Sequence, residues 1–132
     1  AAKTMDEEVT GEYFTANGER VRSKSEIIIA DHLRRYGVVY KYEKPLELTV
    51  HGRRVTFYPD FTDMNSRTGR IYYLEHFGMM DNEDYYNAVL RKLDAFEMNQ
   101  LLIGRDVLLL HESSSAPLNT RVLDCYIQEY LV

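Results

Sequence analysis

Three residues set the chemical question. Asp60 lies in Tyr58-Pro59-Asp60-Phe61, Glu75 in Tyr73-Leu74-Glu75-His76, and Lys92 in an otherwise apolar helical stripe. The polar run Asn65-Ser66-Arg67-Thr68-Gly69 between the two acids reads as a hairpin loop. A regular antiparallel hairpin closed over residues 65–70 sets Asp60 opposite Glu75 on one face, with Cβ atoms about 5 Å apart. Like charges so placed repel, and a divalent cation held by hard carboxylate oxygens, such as Mg²⁺, offsets the repulsion. A one-residue slip of register, or a bulge at Pro59, separates the acids instead. Lys92 shares its helix face with Tyr85, Ala88, Val89 and Phe96. There an ammonium is costly unless it reaches water or an anion. Snorkelling past the ring of Tyr85 or Phe96 is one outcome, and pairing with the carboxylates is the other. Read as a desolvated charge, Lys92 is expected to be dispensable for folding.

The elements that must position these residues follow from local pattern. Ser23-Lys24-Ser25-Glu26 has capping-box spacing and opens a helix carried by Ile27, Ile28, Ala30 and Leu33 until Gly37. Leu46-Glu47-Leu48-Thr49-Val50 alternates as a half-buried strand. After the tight His51-Gly52 connection a second strand starts at Val55 and runs through Asp60-Phe61. A third strand is expected over residues 70–76 and a helix over residues 82–98. A buried fourth strand follows over residues 105–111, and an amphipathic helix over residues 118–132 closes the chain. The predicted class is α/β: a mixed four-stranded sheet flanked by helices, in the order α-β-β-β-α-β-α. Residues 1–21 read as an acidic arm, with a turn at Asn17-Gly18, and residues 22–132 as a single domain. The absence of a starting Met suggests a segment of a longer protein.

Composition narrows the classes. A chain of 132 residues, 45% hydrophobic and 28% charged, has the length of one domain and the make-up of a globular one. Its single cysteine, Cys125, excludes an internal disulfide framework and a cysteine-based zinc site, and fits a reducing compartment, expected to be the cytoplasm. No apolar run is long enough to cross a bilayer, so no membrane partner is expected. The net charge of −5 argues against binding by bulk attraction to nucleic acid. Arg20, Arg22, Lys24, Arg34, Arg35, Arg53 and Arg54 are nevertheless local basic groups able to meet phosphates.

Taken in order, Ser25-Glu26 on a first helix, Tyr58-Pro59-Asp60-Phe61 on a strand, Tyr73-Leu74-Glu75-His76-Phe77-Gly78-Met79 on the next, and Lys92 on the following helix resemble the PD-(D/E)XK nuclease superfamily. The Glu-His-Phe-Gly-Met run is similar to a branch of nuclease domains, some of them attached to helicases. The resemblance covers roughly residues 22–112 and implies a restriction-endonuclease-like core. It implies a Mg²⁺ ion, replaceable by Mn²⁺, held by Asp60 and Glu75, with Glu26 and the backbone carbonyl of His76 completing the shell. Lys92 would face the scissile phosphate. The superfamily pattern places a lysine two residues beyond the second strand acid, where this chain has Phe77; Lys92 stands where a migrated lysine would.

What this implies is a metal-dependent nuclease domain that hydrolyses phosphodiester bonds, with DNA favoured over RNA and an endonucleolytic cut. Helicase-type or other domains, or a second copy of the chain, would supply specificity. The alternative is a binding or assembly module that keeps the fold and has lost the chemistry. Glu26 also has a structural reading as the capping-box carboxylate. The His76 side chain should point away from Glu75, as strand side chains alternate, and serve as a core or supporting hydrogen bonder. His32 and His111 have no partner at metal-ligand spacing and are read as structural.

Overall fold

The computed structural model describes residues 12–132, so the first eleven residues of the expected acidic arm lie outside the described residues. The remainder of that arm is a short antiparallel hairpin, β1 (Tyr13–Phe14) and β2 (Arg20–Val21). Helix α1 (Lys24–Arg35) follows, then β3 (Val39–Tyr42), β4 (Leu46–Val50), β5 (Arg53–Phe57), β6 (Phe61–Met64) and β7 (Ile71–Phe77). Helix α2 (Glu83–Met98), β8 (Val107–His111) and α3 (Thr120–Tyr126) complete the chain, the last continuing into a π-helical turn over Ile127–Leu131.

The class is α/β, built on a mixed four-stranded sheet in the order β3-β6-β7-β8. Strands β3, β6 and β7 are antiparallel neighbours, while β7 and β8 are parallel and joined through α2, as a parallel pair requires a crossover. Two of the expected strands are reassigned. The second strand does not run through Pro59: β5 ends at Phe57, and the chain re-forms as β6 in another sheet. Proline has no N–H to give a ladder and breaks it there. Strands β4 and β5 therefore form their own two-stranded sheet. The edge of the main sheet is instead β3, which the sequence did not reveal. Its four residues include the polar Lys41, and it is half exposed, so no apolar run marks it.

Local chemistry accounts for the elements that were foreseen. Ser23 caps α1 by accepting from the Glu26 amide (3.2 Å). The helix ends where the Gly37 and Val38 amides turn back to the Arg34 and Leu33 carbonyls. The β4–β5 turn places both His51 and Gly52 at positive φ, 50° and 78°, as a two-residue hairpin whose twist matches its strands demands. Asn82 caps α2 through the Tyr85 amide.

Two apolar layers sandwich the sheet. On one face Phe61, Leu74, Leu108 and Leu110 pack against Ile29, Ala30 and Leu33 of α1 and against Leu123, Ile127 and Leu131. On the other, Tyr73, Val107 and Leu109 meet Ala95 and Phe96 of α2 together with Leu46, Leu48 and Phe57 of the small hairpin. Along β7 the side chains alternate between these layers, so Leu74 and Glu75 serve opposite faces.

Asp63 is an exception within the first layer. It lies on β6 between its register partners Tyr40 and Tyr72. It has no exposed surface, and neither carboxyl oxygen has a hydrogen-bond partner among the described residues. Burial alone holds its carboxyl well above the usual carboxylate range. The folded chain thus keeps this proton to a higher pH than the unfolded chain, which releases it near pH 4. Its contribution to stability is greatest below about pH 4 and falls as pH rises toward the raised folded value. Asp63→Asn, which cannot ionise, is expected to flatten that slope. Urea unfolding at pH 5 and pH 8 should show the variant more stable than wild type at pH 8 by about 1 kcal/mol or more, a pKa shift of one unit being worth about 1.4 kcal/mol.

Candidate active site

The β6–β7 ladder pairs Phe61 with Leu74 and Met64 with Ile71, which is the register a regular hairpin over residues 65–70 dictates. Continued by one residue, it sets Asp60 beside Glu75. The ladder itself stops at Phe61, and the two acids replace its next rung by a reciprocal bond. The Asp60 amide donates to Glu75 Oε2 (2.9 Å), and the His76 amide donates to Asp60 Oδ2 (2.7 Å). Both residues have no exposed surface. Each carboxylate thus accepts from the backbone of the strand opposite, which stabilises the charged form.

Lys92 resolves in favour of pairing. Val89 and Phe96, one turn away on either side, are buried, and between them the Lys92 ammonium reaches Glu75 Oε1 at 2.5 Å. Its Nζ also lies 3.5 Å from the Tyr58 carbonyl. Phe77, two residues beyond Glu75, is buried, and the cation beside Glu75 is delivered by α2.

Glu26 is fully buried at the first turn of α1. Its carboxylate accepts from the Arg22 amide (2.8 Å) and the Tyr42 hydroxyl (3.0 Å). Tyr42 and Glu43 join it to the pair. The Glu43 amide bonds the Asp60 carbonyl (3.0 Å), and the Arg22 guanidinium lies 3.1 Å from the Glu43 carboxylate. Burial, followed by the charges of Glu26 and Glu43 and, more weakly, Asp60, pushes the Tyr42 hydroxyl far above its ordinary value. Burial likewise raises the Glu43 carboxyl, against the lowering effect of Arg22. Arg22, Tyr42 and Glu43 were not anticipated as site residues. They depend on β3, whose signal is weak, and on a positive φ at Glu43 (51°), which no sequence pattern announces.

His76 points away from Glu75, as alternation requires. Its ring is nearly buried, with Nε2 2.6 Å from Glu112 Oε1, the same oxygen that accepts from the Ser25 hydroxyl (2.5 Å). The hydrogen bond from His76, ahead of the opposing effect of burial, keeps the Glu112 carboxyl below its usual range. Gly78 lies so close that a Cβ there would stand 3.2 Å from His76 Cε1. Glu112 therefore bridges the residue before Glu26 and the residue after Glu75 from behind the sheet. His32 bonds the Ile28 carbonyl within its own helix (2.8 Å), and His111 is exposed.

Among the described residues, no three His, Cys, Asp or Glu side chains form a group at metal-ligating spacing. Asp60 and Glu75 offer two buried hard oxygen donors. That number suits Mg²⁺, which is commonly held by one or two carboxylates and otherwise by water and substrate phosphate.

The chain is 30% identical over 124 residues to Uncharacterized protein MJ1519 of Methanocaldococcus jannaschii, a match covering 84% of this chain and 10% of that protein. The chain thus spans about a tenth of the length of the curated relative it matches. No family model and no solved structure matches the chain. Among the described residues, no helix is long and apolar enough to cross a membrane.

The ion pair reverses the expectation that Lys92 is dispensable for folding. Removing one partner of a buried pair strands the other's charge, at a cost of about 3–5 kcal/mol. Lys92→Met is expected to lose stability of that order. Denaturant unfolding measures it, and equal stability of variant and wild type would return Lys92 to a snorkelling role.

Proposed function

We propose that this chain is a metal-dependent nuclease domain of restriction-endonuclease-like type that hydrolyses phosphodiester bonds, with DNA the favoured substrate. The observation that carries the proposal is the fully buried Asp60–Glu75 pair with the Lys92 ammonium inserted beside it. Buried carboxylates are costly, and apolar residues would fill this position of a mixed sheet at lower cost. A site of adjacent hard donors and a cation suits a reaction that develops negative charge on phosphate oxygens.

In this reading Asp60 and Glu75 hold Mg²⁺ or Mn²⁺, with Glu26 acting through water and the His76 carbonyl available as a further ligand. The ion, when bound, supplies a water-derived nucleophile and neutralises charge on the phosphate. The chain's own residues do the positioning. The reciprocal backbone bonds fix the two carboxylates. Lys92, paired with Glu75, would be the residue to face the phosphate oxygens. The Glu112 bridge behind β7 holds Ser25 and His76, and through them the segments that carry Glu26 and Glu75.

Specificity is assigned to other domains of a longer protein, helicase-type ones included, or to a second copy of the chain. With its single cysteine the domain fits the reducing cytoplasm. A second reading, a binding or assembly module without chemistry, draws on Phe77 and on a Lys92–Glu75 pair already closed without metal.

Calorimetric titration of Mg²⁺ and Mn²⁺, with plasmid nicking on the same samples, separates the two readings. Wild type is expected to bind and nick. Asp60→Asn should lose metal binding and at least about 100-fold in nicking, the scale on which a lost charge-stabilising group acts. Failure of wild type to bind either ion would move the chain to the assembly reading.

A further inference from the structure

An open, mainly apolar cavity of about 460 Å³ lies between α2 and the β4–β5 hairpin. Four aromatic side chains, Phe57, Tyr58, Phe77 and Tyr85, contribute to its lining, and Lys92 and Arg91 bring positive charge to it. The volume falls within the range of roughly 300–1,000 Å³ that small-molecule sites occupy. Lys92 belongs both to this lining and to the ion pair with Glu75, so the groove and the acidic site are continuous. Tyr58 is 41% exposed, an open π-surface two residues before Asp60. Tyr85 is fixed by the Gly78 amide, which donates to its hydroxyl at 2.9 Å. A groove that is aromatic along its walls and cationic where it meets two carboxylates matches one chemistry: a flat, apolar-faced ring tethered to a phosphate.

We infer that this groove receives the unpaired base of a nucleotide next to the phosphate at Lys92, so that the substrate strand is single-stranded, or opened, at the point of attack. This rests on the nuclease reading and deepens it. A base stacked within a duplex has both faces covered and cannot enter such a slot without leaving the stack. Sequence plays little part in the capture, because every base offers a π-face. The base anchors the strand, and Lys92 and Arg91 meet the phosphate that follows. The net charge of −5 is compatible with this mode, since stacking rather than bulk attraction supplies the affinity.

The test is fluorescence anisotropy with a labelled oligothymidylate single strand and a labelled duplex of equal length, in EDTA to prevent cleavage. The wild type, Tyr58→Ala and Tyr58→Phe are compared, with cleavage of the same strands assayed in Mn²⁺. The single strand is expected to bind wild type more tightly than the duplex. Tyr58→Ala should weaken single-strand binding about 5- to 150-fold, the equivalent of the roughly 1–3 kcal/mol that one base–aromatic stack contributes. Tyr58→Phe should restore it. A strand of the same length made of abasic nucleotides should bind wild type more weakly by a similar factor and leave Tyr58→Ala without further loss. Tyr58 is exposed, and a thermal melt of each variant confirms that the fold persists. Equal single-strand affinity of wild type and Tyr58→Ala, or a duplex that binds as well as the single strand, overturns the inference. If cleavage persists in that case, the nuclease reading survives it. A wild type that binds neither nucleic acid in EDTA and cleaves neither in Mn²⁺ removes both, and a dimer that dissociates in Tyr58→Ala would assign the groove to a second copy of the chain.

Discussion

The costliest feature of this molecule is the burial of Asp60 and Glu75 side by side, and much of the surrounding structure is arranged to make that burial tolerable. Two adjacent carboxylates without exposed surface repel each other and forgo hydration. Three kinds of compensation are present. Each acid accepts an amide from the opposing segment, where a ladder would otherwise continue. A lysine crosses from α2 to neutralise one of them. Backbone bonds from neighbouring segments, such as that of Glu43 to the Asp60 carbonyl, hold the loop that carries the pair. The break at Pro59 belongs to the same arrangement. By ending β5 and starting β6, it lets Asp60 turn its amide to Glu75 rather than to a strand neighbour.

The two faces of β7 divide the work. One presents Glu75 to α2, Lys92 and the aromatic groove; the other presents His76 to Glu112 and α1. Because strand side chains alternate, a single short strand couples the acidic site to a supporting network on the far side of the sheet. Glu112 is the junction of that network, since one of its oxygens serves both Ser25 and His76. The position of Glu26 and that of Glu75 are therefore not independent, although they lie on a helix and on a strand far apart in the chain. Asp63 shows the contrast. It is equally buried on a neighbouring strand but lacks such partners among the described residues, and burial holds its carboxyl well above the usual carboxylate range.

The relation to Uncharacterized protein MJ1519 concerns a tenth of that protein. The activity, substrates and partners of a whole protein containing such a segment are therefore matters for the proposed nuclease reading. What the geometry contributes is specific: a pair of buried carboxylates, a lysine paired with one of them, and an aromatic groove lined in part by the same lysine.

The sequence by itself determined the local elements and the register. Ser23, Asn82 and His51-Gly52 are chemical signals confined to a few residues, and each acts where its pattern places it. The meeting of Asp60 with Glu75 was legible because hairpin pairing is fixed by the loop alone. The helical face of Lys92 was legible for the same reason, as periodicity is local. Whether that lysine would snorkel or pair was not, because the choice depends on which strand α2 packs against. Only the tertiary structure could divide the expected second strand between two sheets, or place the polar, half-exposed β3 at the sheet edge. Only it could gather Arg22, Tyr42, Glu43 and Glu112 around acids distant in the chain. These outcomes are set by packing between elements, where the free energy of burial is shared among residues too far apart in sequence to leave a pattern.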